Sequence, residues 1–258
     1  MAYGNSRGSF LDSIPTITKN LLIINVLVWV ATFVLQRKGI DLVTWLGLHF
    51  WKADDFQLWQ FVTYMFMHDT SSLQTGFMHI FFNMFNLYMF GGLLERVLGQ
   101  KRFLLYYMVC GIGAGIVQEC VWQFTWLSDF ASQLTLGGAS VPVEEVEQAI
   151  AAHDPNILQL LSQFCNMNVT VGASGAVFGL LLAFGMSFPN LRMYIIPFPF
   201  PIKAKWMVIG YGLVELVCGT QGLMNGVAHF AHIGGMLFGI VMILYWKHKG
   251  IINHGYME

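Results

Sequence analysis

Residues 227–246 read VAHFAHIGGMLFGIVMILYW and contain no Asp, Glu, Lys or Arg. An apolar helix of about 20 residues is long enough to cross the hydrocarbon core of a bilayer. His232 lies within this stretch, and an imidazole inside a membrane helix is costly and by default a functional candidate. The stretch therefore predicts a membrane-spanning helix that carries a chemically active side chain.

The composition places the whole chain in the same class. Of its 258 residues, 56% are hydrophobic and 10% are charged, whereas a soluble domain carries about 25% charged residues. This balance excludes an ordinary soluble protein, and the net charge of -1 gives no indication of nucleic-acid binding. The four cysteines lack metal-ligand spacing, so we expect free thiols and no metal.

Five other apolar segments precede residues 227–246, so the pattern predicts an all-α bundle of six transmembrane helices. The fourth and fifth are short, which suits helices surrounded by protein or by a water-filled cavity. The predicted spans cover residues 20–35, 77–98, 103–127, 171–187, 204–219 and 227–246. Together they define a membrane domain over residues 20–247, with an outer loop at 36–76 and an outer insertion at 128–168.

The basic residues predict the orientation of this bundle. In a six-span arrangement, ten of the 13 Lys and Arg residues fall on one side, and the exceptions are Arg37, Lys38 and Lys52. The positive-inside rule then makes residues 1–19 and 248–258 cytoplasmic. No cleavable signal peptide or organelle-targeting segment is evident, so we expect the plasma or inner membrane.

The two outer segments contain signals for short helices. Aromatic residues are dense in 36–76, which is typical of segments at a membrane interface. In 128–168, Ser140 before Pro142 and Asp154 before Pro155 each read as a helix start. An interfacial position and packing on the bundle both remain open for these helices.

The tetrapeptide Gly172-Ala173-Ser174-Gly175 opens the fourth span. First-turn N–H groups of a helix lack intrahelical partners and lie at the positive end of its dipole, so they favour a developing oxyanion beside Ser174. Small residues are also common at helix contacts in membranes, so packing is the alternative. The G-x-S-x-G spacing of soluble hydrolases is absent, because position 176 is Ala.

His232 changes the balance between these interpretations. Gly235 and Gly239 follow it at helical spacing, and Gly175 begins a similar small-residue face after the serine. If the two faces meet, a neutral His232 reaches the Ser174 hydroxyl and acts as general base. His229 is a rival base. No acidic residue is evidently placed to orient the imidazole, so we expect a dyad rather than a triad.

Three further polar residues lie in apolar spans. His79 and Asn83 are four residues apart and share one helix face. They are either oxyanion donors or an interhelical hydrogen-bond pair that holds the bundle together. Glu215 belongs to no motif, and its role is open, with a structural hydrogen bond to a group such as Gln221 as one reading.

Taken together, these pieces resemble the rhomboid family of intramembrane serine proteases. The matching segments are HIFFN at 79–83, GGLLERVLG at 91–99, GASG at 172–175 and AHIGGMLFG at 231–239. Each motif alone is weak, but all four occur in the family's order over residues 20–246.

The resemblance implies the role of each site residue. Ser174 is implied as the nucleophile and His232 as the base, with the oxyanion held by His79, Asn83 and the Ser174 backbone N–H. Supporting roles are implied for Gly172, Gly175, Gly235, Gly239 and Glu95. The resemblance also implies single-span membrane proteins as substrates, with neither a metal nor another cofactor, and it leaves the oligomeric state open.

The chain departs from the family pattern at two positions, and two other functions are alternatives. Trp59 is followed by Gln60 where many rhomboids have Arg, and Phe178 replaces a Tyr found in some members. A catalytically inactive rhomboid-like protein that binds membrane clients is one alternative, although such a protein usually lacks the Ser or His. A small transporter is another, but the chain shows no internal repeat.

Overall fold

The structure is a computed structural model, and it describes residues 10–136, 139–194, 200–222 and 228–252. Val227, where the predicted sixth span begins, lies outside these residues, as do 1–9 and 253–258 of the predicted terminal segments.

Helices dominate the described residues, which confirms the all-α class. The α-helices are α1 (Thr16–Gln36), α2 (Leu42–Leu46), α3 (Gln60–Thr63), α4 (Leu73–Asn86), α5 (Gly92–Leu98), α6 (Gln100–Gln133), α7 (Val143–Ala151), α8 (Pro155–Met167), α9 (Ser174–Ser187), α10 (Ala204–Gln221) and α11 (His229–His248). Short 3₁₀ segments cover Phe10–Ser13 and Tyr64–Phe66, and a π-helical segment, Leu87–Gly91, joins α4 to α5.

Within the described ranges, three antiparallel ladders of two-residue strands connect the helices. The strands are β1 (Leu48–His49), β2 (Thr135–Leu136), β3 (Ala139–Ser140), β4 (Val169–Thr170), β5 (Arg192–Met193) and β6 (Ile202–Lys203). The pairs are β1 with β4, β2 with β3, and β5 with β6. In the first ladder Leu48 lies opposite Thr170 and His49 opposite Val169, which ties the outer loop to the chain just before Ser174.

Four of the described helical segments are long and apolar enough to cross a membrane: Thr16–Gln36, Leu73–Leu98, Gln100–Gln133 and His229–His248. Helix α9 is apolar but has only 14 residues. With a rise of about 1.5 Å per residue, its length is less than the thickness of a hydrocarbon core of about 30 Å. Helix α10 has 18 residues and includes Lys205 and Glu215. Each of the six predicted segments contains a helix among the described residues, and the count of six spans stays a prediction.

Helix α9 lies at the centre of the bundle and packs against α6, α10 and α11. Most of its side chains are buried, including Leu180 and Phe184. Phe184 contacts Phe90 of the π-helical segment, with ring centroids 4.8 Å apart. In contrast, α1 exposes many large apolar side chains, of which Leu27 is 62% exposed. A buried apolar helix inside a shell of helices with apolar outer faces is the arrangement that a membrane domain requires.

The outer insertion forms the two predicted helices, α7 and α8. Asp154 caps α8 as predicted, since its carboxylate accepts the N–H of Asn156 at 2.8 Å. The other predicted start is wrong in detail: Ser140 lies in β3, and α7 begins at Val143 after Pro142, because the chain is still paired with β2 there. Both helices pack on the outer end of α6 through a second apolar cluster, which supports the packing interpretation.

Gln60, the residue after Trp59, organises the outer loop. Its side-chain Nε2 donates to the Asp55 carbonyl at 2.9 Å. Its Oε1 accepts the N–H groups of Gln57 at 3.1 Å and His49 at 3.3 Å. A buried neutral amide therefore satisfies backbone groups of this loop.

Glu95 joins the start of α1 to the end of α5. Its Oε1 accepts the N–H of Ile17 at 2.9 Å, and its Oε2 accepts the N–H of Thr18 at 2.7 Å and the Thr18 hydroxyl at 2.8 Å. First-turn N–H groups of α1 lack intrahelical partners, and no side chain at its N-cap, Pro15, accepts them. Glu95 supplies that cap from another helix, so its supporting role is structural.

We expect Glu95→Ala to lower the free energy of unfolding by about 2–4 kcal/mol, because three donors lose a charged acceptor in a buried place. Thermal unfolding in detergent measures this change. Glu147→Ala, at an exposed position of α7, is the matched control and should leave the unfolding temperature nearly unchanged. Equal stability of the two variants would contradict the role assigned to Glu95.

Candidate active site

Ser174 is the first residue of α9, as predicted. The chain reaches it through β4 and through Gly172, whose N–H donates to the Tyr64 carbonyl at 2.9 Å. Gly172 has a φ of 133°, a conformation that residues with a Cβ rarely adopt. This turn sets the start of α9 and leaves the Ser174 side chain only partly buried.

His232 is the histidine that reaches the serine. Its Nε2 lies 2.8 Å from the Ser174 Oγ, although the residues are 58 positions apart. The Phe178 ring stacks on the imidazole, with centroids 4.2 Å apart and planes within 8°. Phe178 thus provides the ring contact expected of it without a hydroxyl, and it restricts the rotation of His232.

Close contact between α9 and α11 makes this pairing possible. A Cβ at Gly235 would overlap the carbonyl oxygen of Gly175. On the neighbouring turn, a Cβ at Gly179 would lie 3.1 Å from the carbonyl oxygen of Gly235. The predicted meeting of small-residue faces is therefore present, except that Gly239 faces the Tyr106 hydroxyl of α6 rather than α9.

His79 borders the same space as the serine. A Cβ at Gly172 would lie 3.0 Å from the His79 Nε2 and 3.5 Å from the Ser174 Oγ. The His79 Nδ1 accepts the N–H of Asp69 at 3.3 Å, so a neutral ring carries its proton on Nε2. That donor is then directed to the side of the ring that borders Gly172 and the serine.

His68 packs edge-on against His79, with ring centroids 5.1 Å apart. It lies in the loop before α4 and is fully buried. Burial, followed by the proximity of His79, lowers the pKa of His68 to about 3. A neutral ring therefore lies behind His79 at physiological pH.

Asn83 is buried on α4, and its Nδ2 donates to the His79 carbonyl at 2.9 Å. Its Oδ1 has no hydrogen-bond partner among the described residues. This hydrogen bond lies within α4, so it is not the interhelical bond that the structural interpretation expected. A contact with the oxyanion stays a prediction for the second N–H of this amide.

Glu215 of α10 is the site residue that the motifs missed, and the expectation that no acidic group lies near His232 is wrong. The Glu215 Oε2 lies 2.6 Å from the Nδ1 of His229 and 3.0 Å from the Nδ1 of His232. The sequence signal that could have identified Glu215 is the presence of an ionisable residue within an apolar span. The same contact accounts for His229, which binds Glu215 while His232 binds the serine.

Glu215, His229 and His232 could also hold a metal ion, because among the described residues their potential ligand atoms lie within 4.8 Å of one another. Two imidazole nitrogens and a carboxylate oxygen suit zinc, but ligands of a tetrahedral zinc site lie about 3.3 Å apart, given bonds of about 2.0–2.1 Å. The 2.6 Å separation between His229 and Glu215 is the length of a hydrogen bond. The expectation of no metal stays a prediction. All four cysteines are free thiols, as expected.

The fold and these contacts agree with sequence comparisons. A family model described as Rhomboid domain matches residues 55–144 and 147–249. The chain therefore belongs to the rhomboid family, and its apolar helices make it a multi-pass membrane protein.

Individual relatives are distant. The chain is similar to the rhomboid protease AarA of Providencia stuartii, with 26% identity over 71% of this chain and 54% of the relative. It is similar to RHOMBOID-like protein 6, mitochondrial, of Arabidopsis thaliana, with 25% identity over 76% of this chain and 47% of the relative. It also resembles the rhomboid protease GlpG of Haemophilus influenzae, with 27% identity over 44% of this chain and 55% of the relative. The chain thus spans about half the length of these relatives.

We expect Gly235→Ala to lower the unfolding temperature by several degrees, because the new methyl group overlaps the backbone of Gly175 and costs about 1–3 kcal/mol or more. Thermal unfolding in detergent is the measurement. Gly210→Ala in α10 is the control, since its Cβ would meet nothing within 4 Å. An unchanged unfolding temperature for Gly235→Ala would contradict the close contact of α9 and α11.

Proposed function

We propose that this protein is an intramembrane serine endopeptidase that hydrolyses peptide bonds in or near the transmembrane helices of single-span membrane proteins. The observation that carries the proposal is the 2.8 Å contact between the Ser174 Oγ and the His232 Nε2. A hydroxyl and an imidazole at this distance form a nucleophile and its general base. The names of the relatives AarA and GlpG, both rhomboid proteases, support the same class of reaction.

In the proposed first step, the Ser174 hydroxyl transfers its proton to the His232 Nε2 while Oγ forms a bond to the scissile carbonyl carbon. The carbonyl π electrons move to its oxygen. Collapse of this intermediate breaks the C–N bond, and the leaving amine takes the proton from Nε2. A water molecule then gives a proton to Nε2 while its oxygen attacks the acyl carbon. The bond between the acyl carbon and Oγ breaks, the carboxylic acid leaves, and Oγ takes the proton from Nε2.

The oxyanion is assigned to the space that Gly172, His79 and Ser174 surround. A neutral His79 presents Nε2–H there, and the first-turn N–H of Ser174 lies at the positive end of α9. Because Gly172 has no Cβ, its side of this space stays open to a substrate carbonyl. Asn83 is proposed as a further donor through its second amide hydrogen.

We also propose the plasma or inner membrane as the location, with six spans and both termini in the cytoplasm, as the distribution of basic residues predicts. The acidic outer segments and the outer end of α6 then lie on the opposite side of the membrane. Substrates would meet the dyad near the start of α9.

The direct test is cleavage of a single-span fusion substrate by purified protein in detergent. We expect Ser174→Ala and His232→Ala each to lower kcat/KM by at least about a thousandfold, because each removes a partner in bond formation. Controls on the same helices are Ser187→Ala in α9 and His248→Ala in α11, which should cleave like the wild type.

Two results would contradict the proposal. Cleavage that survives Ser174→Ala would show that another group is the nucleophile. A folded wild-type protein that binds single-span clients but cleaves none would favour the inactive, client-binding alternative.

We expect Gly172→Ala to lower kcat by at least about tenfold, because its Cβ enters the proposed oxyanion space and its φ is unfavourable for alanine. His79→Ala should lower kcat by about 10²–10³-fold if it is an oxyanion donor. Steady-state kinetics on the fusion substrate measure both effects, and the unfolding temperature tests whether each variant is folded. Unchanged kcat in folded His79→Ala would exclude His79 as a donor.

A further inference from the structure

Glu215 places an acidic group beside Ser174 and His232, whose motifs at 172–175 and 231–239 contain no Asp or Glu. The residue is 9% exposed and comes from α10, whereas the dyad comes from α9 and α11. A buried carboxylate is expensive unless other groups stabilise it. Among the described residues, His229 and His232 of α11 lie next to this carboxylate, and His232 is the proposed base.

The carboxylate approaches both histidines through one oxygen. Its Oε2 accepts from the His229 Nδ1 at 2.6 Å, which is the length of a charge-assisted hydrogen bond. The His232 Nδ1 lies 3.0 Å from the same oxygen but away from the direction of a well-aligned hydrogen bond. His229 therefore holds the carboxylate, while His232 experiences its charge at short range.

This geometry selects one tautomer of neutral His232. If the proton were on Nε2, the partly negative Nδ1 would lie 3.0 Å from an anionic oxygen, which is repulsive. With the proton on Nδ1, the positive end of this N–H dipole lies beside Glu215, and the Nε2 lone pair is available to the Ser174 hydroxyl. Only this second tautomer can accept the serine proton.

The same charge favours the step that follows. When Nε2 takes the serine proton, His232 becomes an imidazolium with its positive charge next to the Glu215 carboxylate. No proton moves to Glu215 in this step, and the imidazolium later returns its proton to the leaving amine. Electrostatic attraction depends weakly on angle, so the off-line approach of Nδ1 still stabilises the charged ring.

We propose that Glu215 is a positioning residue that converts the Ser174–His232 dyad into a Ser–His–Glu triad, and that His229 holds its carboxylate in place. The inference rests on the proposed function, because it assigns a partner to the base of that reaction. It adds a group that the serine and histidine motifs do not contain.

Glu215→Gln tests the role of the charge, since it keeps the shape of the side chain. We expect kcat to fall by about 10- to 100-fold with KM within about twofold of wild type, because substrate binding does not use this group. Glu215→Asp should recover part of the lost kcat. The matched control is Glu119→Gln, which alters a buried carboxylate of α6 that accepts the N–H of Trp51 at 3.0 Å and should retain wild-type kcat.

The assays contain EDTA, so that loss of a bound metal does not account for any difference. A folded Glu215→Gln protein with kcat within twofold of wild type would overturn the proposal. If Ser174→Ala abolishes cleavage in the same series, the protease function stands while the triad fails. If wild type and Ser174→Ala cleave equally, it is the proposed function that fails.

A second measurement needs no variant at position 215. Nitrogen-15 NMR of histidine-labelled full-length protein in detergent micelles reports the tautomer of each ring, and His232→Ala identifies the signal of interest. We expect the proton of neutral His232 on Nδ1. A proton on Nε2 in the resting protein would overturn the proposal even if Glu215→Gln does not fold.

Discussion

The contact between the backbones of α9 and α11 is the constraint on which the site depends. Gly235 meets the carbonyl of Gly175 where neither helix carries a side chain, so the helix axes approach more closely than larger residues allow. Ser174 lies one residue before the first of these glycines and His232 three before the second. Their 2.8 Å contact is therefore a consequence of helix packing rather than of a flexible loop.

The outer part of the molecule sets where α9 begins. The β1–β4 ladder and the hydrogen bond from Gly172 to Tyr64 hold the chain just before Ser174. At the other end of the bundle, Glu95 caps α1 and joins it to α5. Buried polar groups thus connect the ends of the helices, while apolar and glycine contacts fill the centre, because unpaired polar groups are costly in both protein and lipid.

Sequence patterns alone predicted the helical class, the six apolar segments, the outer helices and His232 as a candidate base for Ser174, with His229 as its rival. Each prediction rests on a local signal: the length of an apolar run, a proline after a capping residue, or small residues at helical spacing. The start of α7 was misplaced because pairing between β2 and β3 includes Ser140. Short ladders of this kind depend on contacts between distant residues, which local patterns do not contain.

The amino-acid sequence by itself determined which polar and ionisable side chains lie in the apolar spans. Because such side chains are costly there, each of them is recognisable as a functional candidate. Only the tertiary structure decided how these groups pair. It assigned His232 to the serine and His229 to Glu215, although both histidines lie one turn apart on the same helix. The physical reason is that pairing depends on the rotation and depth of α9, α10 and α11 relative to one another, and packing across the whole bundle determines both.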